Sequence, residues 1–493
     1  MPLPETGTPW PPPQLAPLLD EMRVDDAWYS GDRTRLAEVY RTTERRRHDG
    51  RRRLWGRSQP RPGHDRHDGR LHIPLPADIA STSADLLFSE PPTFTVDDKA
   101  TQARLDELTE ADGIANTLLE SAEVAAALGG VYLRATWDTA LALRPLLTSV
   151  HADAAVPEWR MGILTAVTFW RELPTDAPSV VLRHLERHEP GRILHGLYEG
   201  TADQLGRRVP LTEHPDTTPL ADSLSPEGDA IETGIDQLTA AYVPNIRPNR
   251  RHRGSPFGRS DYQSAHDAFD ALDETWSSWL RDIRLARARL IVPDGYLRDH
   301  GPGRGASFDD DREIWQTLNI PPTEAGAGIT LSQFAIRVEE HERTATAITR
   351  QAVQLAGYSA QSFGLADPTS AATATEVTDR WRRSLITRDK KSRYWSAPTA
   401  DMLHVLLKLD RVLGFSRVAP ERPSVEFGAA VSEDPQREAQ TLNWLQQAQA
   451  VSTNTKVRML HPEWGEAEVR EEVDRILAET GAAVPDPVGP LPI

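Results

Sequence analysis

The 493-residue chain contains no cysteine. Disulfides, thiolate nucleophiles and cysteine-ligated zinc are therefore excluded together. No apolar run approaches the ~18–20 residues that a membrane-spanning helix requires, and residues 1–13 carry no basic-then-apolar leader. A soluble, non-secreted protein with no membrane partner is expected. Positive charge is in deficit, with 56 Lys+Arg against 73 Asp+Glu and a net charge of −17. A protein that grips DNA usually offers a basic face, because each neutralised phosphate releases counterions. This balance argues against gripping. It favours solubility and is compatible with a wall past which a polyanion slides.

Several catalytic motifs are also missing. There is no G-x-x-x-x-G-K-[ST] phosphate loop and no G-x-S-x-G elbow. Gly301-Pro302-Gly303-Arg304-Gly305 is glycine-rich but neither follows a strand nor opens a helix. His184 and His188 lie four apart around Glu186, yet in zinc proteases the Glu directly follows the first His. The segment reads as a strand, so solvated strand residues are expected. Asp309, Asp310 and Asp311 read as an exposed acidic turn. No catalytic residue, metal or cofactor is expected, and the chain is predicted not to be an enzyme.

At this length more than one packed unit is expected. The first ~20 residues are rich in proline (Pro9, Pro11, Pro12, Pro13, Pro17) and predict a loose arm. A basic run, Arg45 to Arg47 and Arg51 to Arg53, reads as a solvated helix end, and residues 58–70 as a Gly/Pro/His-rich loop. Helices are predicted at 78–87 and 114–128, the latter ended by Gly129-Gly130. A strand is predicted at 93–96. Alternating segments at 131–137, 143–150, 162–172, 180–189 and 191–199 predict an antiparallel sheet. Residues 244–258 should be extended. There Arg247, Arg250, Arg251 and Arg253 are candidates for contact with nucleic acid or with a neighbouring subunit's carboxylates.

Three capping boxes then predict three helices. Ser260 and Gln263 open the first, with apolar residues at Tyr262, Ala265, Phe269, Leu272, Trp276, Trp279, Ile283, Ala286 and Leu290. These steps of three and four form a heptad seam. Thr330 and Gln333 open the second, whose seam is Leu331, Phe334, Val338, His341, Ala345, Ile348, Ala352 and Leu355, with Gly357 as its left-handed stop. His341 is expected to be an interface histidine. Thr373 and Glu376 open the third, which passes through Pro398 and should be long and kinked. Taken alone, these seams mean helix packed on helix.

The order of these parts resembles the portal proteins of tailed bacteriophages, in particular the SPP1-type portal family. Leu71-His72-Ile73-Pro74-Leu75-Pro76 and Phe88-Ser89-Glu90-Pro91-Pro92 are similar to the family's early helix and turn. Gly129-Gly130-Val131-Tyr132-Leu133 is similar to the strand entering its wing sheet. The segment from Val243-Pro244-Asn245 to Gly258-Arg259-Ser260-Asp261-Tyr262 resembles the approach to its stem. Thr373-Ala374-Thr375-Glu376-Val377 resembles the start of its long wing helix.

The resemblance implies an α+β, largely helical portal fold. Its parts would be an N-terminal arm (1–23), the wing (24–259), stem helix 1 (260–290), a clip (291–329), stem helix 2 (330–356) and a tunnel loop (357–372). The long wing helix with a return strand (373–428), a helical crown (429–481) and a tail (482–493) would follow. Phe269, Leu272, Trp276, Trp279, Ile283, Phe334, Val338 and Ile348 would pack the stem, and Tyr358, Gln361 and Phe363 would face a DNA channel. The function implied is a ring, a dodecamer in the family, at one capsid vertex of the virion. It passes double-stranded DNA during packaging and ejection and is assembled in the host cytoplasm. Implied partners are the terminase large subunit, the head–tail adaptor, and major capsid and scaffolding proteins. The alternative is a helical assembly or scaffold protein without a DNA channel, and a third reading is a hydrolase with no visible motif.

Overall fold

Proline sets where the first helix begins. Pro17 lies in the first turn of α1 (Ala16–Ser30), where a missing N–H costs nothing, and Gly31 ends the helix in the left-handed region at φ 64°. The computed structural model describes residues 3–49, 70–286 apart from a few positions at 178 and 222–229, 336–365 and 374–428. It also describes 289–291, 298–299, 306–307, 330–332, 443–444, 447–448, 451–460 and 466–479.

α2 (Arg33–Asp49), α3 (Leu75–Phe88), the strand β1 (Thr93–Thr95), α4 (Lys99–Ala111) and α5 (Ile114–Leu128) follow. α4 starts on Asp98, whose carboxylate accepts from Thr101 N at 2.8 Å. α5 ends as expected at Gly129, φ 86°.

The strand-rich middle comprises β2 (Gly130–Thr136), β3 (Leu146–His151), β4 (Ala155–Arg160), β5 (Ile163–Leu173), β6 (Val181–Glu189), β7 (Arg192–Thr201) and β8 (Gln204–Val209). The single turn α6 (Thr218–Ala221), β9 (Ala230–Glu232) and β10 (Ala240–Pro244) complete it. Two antiparallel sheets result. One has the order β10-β2-β3, and the other β4-β5-β6-β7-β8 with β9 beside β8 on the same edge of β7.

Next come α7 (His266–Leu285), β11 (Arg289–Ile291), β12 (Arg298–Asp299), β13 (Ala306–Ser307), β14 (Thr330–Ser332), α8 (Val338–Ala356), α9 (Ala374–Val412) and β15 (Ser424–Glu426). β15 pairs with β1, so the expected return strand is present. These elements make one compact unit, Met1–Gly428. The second unit, Ala429–Ile493, holds α10 (Thr453–Leu460) and α11 (Glu466–Glu479), which pack on each other.

Two large apolar clusters and two smaller ones hold the first unit. One of the large clusters gathers Trp28, Tyr40, Ile79, Tyr132, Phe269 and Val353. There the Trp28 ring lies 5.7 Å from Tyr40 and 5.6 Å from Phe269. The other packs Leu105, Leu118 and Leu133 against Trp395, Leu403 and Leu406 of α9. α9 is continuous from 374 to 412 with Pro398 inside it, so the expected long helix is present. Proline removes one backbone bond there. Thr373 lies outside the described residues, as does the Glu376 side chain.

The proline-rich segment is not a loose arm. Gly7 N donates to Gly206 O at 2.8 Å, Leu205 N to Thr8 O at 3.0 Å and Trp10 N to Asp203 O at 2.9 Å. Leu3 and Trp10 are buried with Leu185, Tyr198 and Leu205. Two large apolar side chains outweigh the proline composition, and the segment lies along β8 as an edge cover. The boundary at residue 23 also falls inside α1.

Candidate functional site

The two seam helices form an antiparallel hairpin. Near the tip, Asp282 of α7 accepts from Arg337 at 2.9 Å and lies 3.0 Å from His341 Nε2. Those two bonds hold its carboxyl below the usual carboxylate range. The Trp279 and His341 rings stack at 5.9 Å, 7° apart, which places His341 between the helices as expected. Just beyond α7, β11 pairs antiparallel with β14, Arg289 opposite Ser332 and Ile291 opposite Thr330. This ladder closes the neck of the segment that joins the helices.

The helix starts differ from those expected. Ser260 Oγ accepts from Tyr262 N at 3.0 Å, but the Gln263 amide donates to Asn249 at 2.9 Å instead of reaching back to Ser260. A short 3-10 turn (Asp261–Ser264) results, and α7 proper begins at His266. At 20 residues α7 is ~30 Å long. Thr330 is not a cap but part of β14, and α8 begins at Val338. Gly357 does end α8, with φ 105° and Tyr358 N bonded to Val353 O at 3.1 Å. Leu290 and Leu331 are strand residues and Phe334 lies outside the described residues. The same holds for Gly301 to Gly305 and Asp309 to Asp311.

Burial falls along most of the hairpin seam towards the tip, the exceptions being Ala286, 7% exposed just past α7, and Leu355, 40% exposed near the base. Phe269 and Leu272 are buried, Trp276 and Trp279 half-buried, and Ile283 44% exposed. On α8, Ala352 and Ala345 are buried, Ile348 and His341 half-buried, and Val338 48% exposed. Ile283 and Val338 are thus only partly covered within the described residues of this chain.

At the base, the hairpin is tied into the body by a buried ion pair. Lys391 Nζ of α9 donates to Asp261 at 2.6 Å, to Ser83 of α3 at 2.6 Å and to the Tyr358 hydroxyl at 2.8 Å. All three ammonium donors are thus used. Tyr358 donates in turn to Asp261 at 2.8 Å, and Asn245 donates to the other carboxylate oxygen at 2.9 Å. Burial pushes the Lys391 ammonium down, and Asp261 opposes that shift.

The expected channel role of Tyr358 is therefore corrected: its ring is 1% exposed and its hydroxyl is committed to this network. Gln361 and Phe363 are half-buried in a 3-10 turn (Ala360–Phe363) against it. Residues 366–372 of the expected tunnel loop lie outside the described residues. A second buried carboxylate, Asp273 of α7, accepts from Tyr40 at 2.6 Å and Ile73 N at 2.9 Å and lies 2.9 Å from His72 Nδ1. Sequence reasoning missed Asp261, Asp273 and Lys391. Asp273 one turn beyond Asp270 on a packed helix was the only local hint.

The arginine loop leading to the hairpin is firmly built. Asn249 is buried; it donates to Gly258 O at 2.9 Å and accepts from Gln263 at 2.9 Å. Arg251 is pinned by Glu21 at 3.5 Å and by Gln263 O at 3.2 Å. Arg247, Arg250 and Arg253 are exposed.

A cleft of about 500 Å³ opens between the two sheets, lined by Arg134, Phe169, Trp170, His184, Glu186 and His195. His184 and His188 are 3% and 0% exposed, so they are not solvated. β6 turns residues 184, 186 and 188 towards the second sheet. His184 Nε2 lies 3.2 Å from His195 Nδ1. Burial and mutual repulsion hold His184 down to about 3, and burial holds His195 down to about 4. Glu186 bonds Arg134 and His188, both at 2.8 Å. Its own polar atoms satisfy this cluster, as a structural core would require. Among the described residues no group of three or more metal-ligating side chains converges, and no helix is long and apolar enough to cross a membrane.

No protein-family model and no curated protein matches the chain. Among solved structures it is similar to a chain of the virion of a native gene transfer agent particle, with TM-score 0.45 and 13% identity over 92% of this chain and 95% of that one. It is also similar to a chain of the neck of the native particle, with TM-score 0.44 and 13% identity over 92% and 95%. A third, from the neck of the empty particle, has TM-score 0.43 and 14% identity over 79% and 89%.

Proposed function

We propose that this chain is a portal subunit of a phage or phage-like capsid. Copies would close into a ring, with no catalysis of its own, through which double-stranded DNA passes. The graded hairpin carries the reading. Its base is locked by Asp261 and Lys391, while its far end leaves Ile283 and Val338 exposed and is joined by a small insert. An apolar seam that outruns its own core calls for a neighbouring seam. Ring symmetry supplies one through heterologous contacts that close. In this reading residues 291–329 form the clip that meets motor and adaptor, and the acidic total lets DNA slide.

Electron microscopy of the purified full-length chain tests the proposal. Rings with an open axial channel are expected; compact monomers under every condition would overturn it. The second reading, an assembly protein without a channel, predicts oligomers lacking an axial opening.

A further inference from the structure

Arg247, Arg250 and Arg259 lie where the arginine loop meets α9, and Lys390 stands one helical turn from that meeting point. The Tyr394 hydroxyl of α9 donates to Arg247 O at 3.5 Å, which brings the helix against the loop. Lys390 lies one turn earlier on the same face of α9. Arg250 makes a 3.4 Å contact to the Ser264 hydroxyl. Arg259 is half-buried, and its Nε is buried without a hydrogen-bond partner. Burial, and then the nearby Arg250, push the Arg259 guanidinium down. Among the described residues none of the four has a carboxylate within ion-pair distance. This is notable in a chain with 73 acidic residues against 56 basic ones.

We propose that Arg247, Arg250, Arg259 and Lys390 form a contact site for the phosphate backbone of duplex nucleic acid. Backbone contacts need cations and hydroxyl donors and no base-reading groups, and the patch offers such cations beside the Tyr394 and Ser264 hydroxyls. A protein partner would call for an apolar centre; no large apolar side chain between 246 and 259 is exposed, and Ile386, 45% exposed one turn before Lys390 on α9, stands at the margin of the patch. The loop is preorganised by Asn249 and by Arg251 on Glu21, so little ordering cost falls on binding. Only the choice of a duplex rests on the portal reading.

The test uses the full-length chain and fluorescence anisotropy with two labelled duplexes of unrelated sequence, titrated at increasing salt. Both should bind alike, with log affinity falling against log salt at a slope of about −3.6 for four phosphate contacts. The Arg247→Gln/Arg250→Gln/Lys390→Gln variant should lose at least tenfold in affinity at low salt (about one salt-slope unit per cation removed), with an unchanged urea midpoint. Arg422→Gln, a distant surface control, should bind as the unaltered chain does. No duplex binding at low salt, or a triple variant that binds normally, overturns the site. A triple variant that binds duplex normally but assembles poorly also overturns it, assigning the patch to a second copy's carboxylates. Rings with no effect of the variant on DNA would leave the portal reading standing, whereas monomers that bind duplex through the patch would remove that reading and keep the site.

Discussion

Lys391 Nζ lies 2.6 Å from Asp261 Oδ2 with both side chains 1% exposed, and the pair joins the longest helix to the base of the hairpin. Removing one partner strands a buried charge. Lys391→Met should cost about 3–5 kcal/mol, read as a lower urea midpoint. Lys391→Met combined with Asp261→Asn should cost less than the single change. A double variant as unstable as the sum of the two singles would remove the pairing argument.

The hairpin tip separates assembly from folding. Ile283→Asp and Val338→Asp alter positions already 44% and 48% exposed, so each should change monomer stability by less than about 0.5 kcal/mol. Both should weaken oligomers on a sizing column with light scattering. Normal assembly of the double variant would show that the seam has no partner there.

The edge cover on β8 can be removed. Deleting residues 2–12 uncovers Leu205 and Tyr198 and frees the β8 backbone. Exposed edges template further pairing, so faster amide exchange across 204–208 and concentration-dependent aggregation are expected. Trp10→Ala alone should cost about 3 kcal/mol. Unchanged exchange at 205 would count against the cover.

Acid should destabilise the sheet cleft. In the unfolded chain His184 and His195 take up protons near the ordinary value of 6.5, but in the folded chain only near 3 and 4. Between those limits the unfolded state binds more protons, so stability rises with pH. The contribution is complete above about 6.5 and is lost as pH falls, by about 1.4 kcal/mol per pH unit per imidazole. Burial alone would raise the Glu186 carboxyl, but Arg134 and His188 hold it low, so it adds to the loss below its ordinary 4.5. Urea midpoints from neutral pH downwards should show this slope, flattened in the His184→Leu/His195→Leu variant. An unaltered slope in that variant would assign the acid lability elsewhere.

Local patterns in the sequence were read well where one element decides its own state. The Ile114-to-Leu128 helix with its Gly129 stop, the alternation in β5 to β7 and the Gly357 cap needed no distant partner. Thr330-Leu331-Ser332-Gln333 satisfies a capping box and a β-branched strand alike, and only pairing with Arg289 to Ile291 decides for the strand. α1 and α4 escaped notice, and of α2 only the basic end near Arg45 was read, because prolines and charges obscure their apolar stripes. Lys391 reads as one more surface lysine, since its burial depends on a carboxylate 130 residues earlier. The heptad seams were legible, but where they leave the core was not, because burial is set by α1, α2 and α3 packing against the base.

The joint at Asp261 also fixes an order in time. Its hydrogen bonds to Lys391 span 130 residues, and those from Lys391 to Ser83 span 308. A chain emerging from the ribosome can close the sheets and the hairpin early, but until residue 391 is released Asp261 is a carboxylate without its cation. Contacts of such separation close late. The anchoring of the hairpin thus waits for residue 391, and no copy can offer a finished stem to a neighbour before nearly all of its first unit exists.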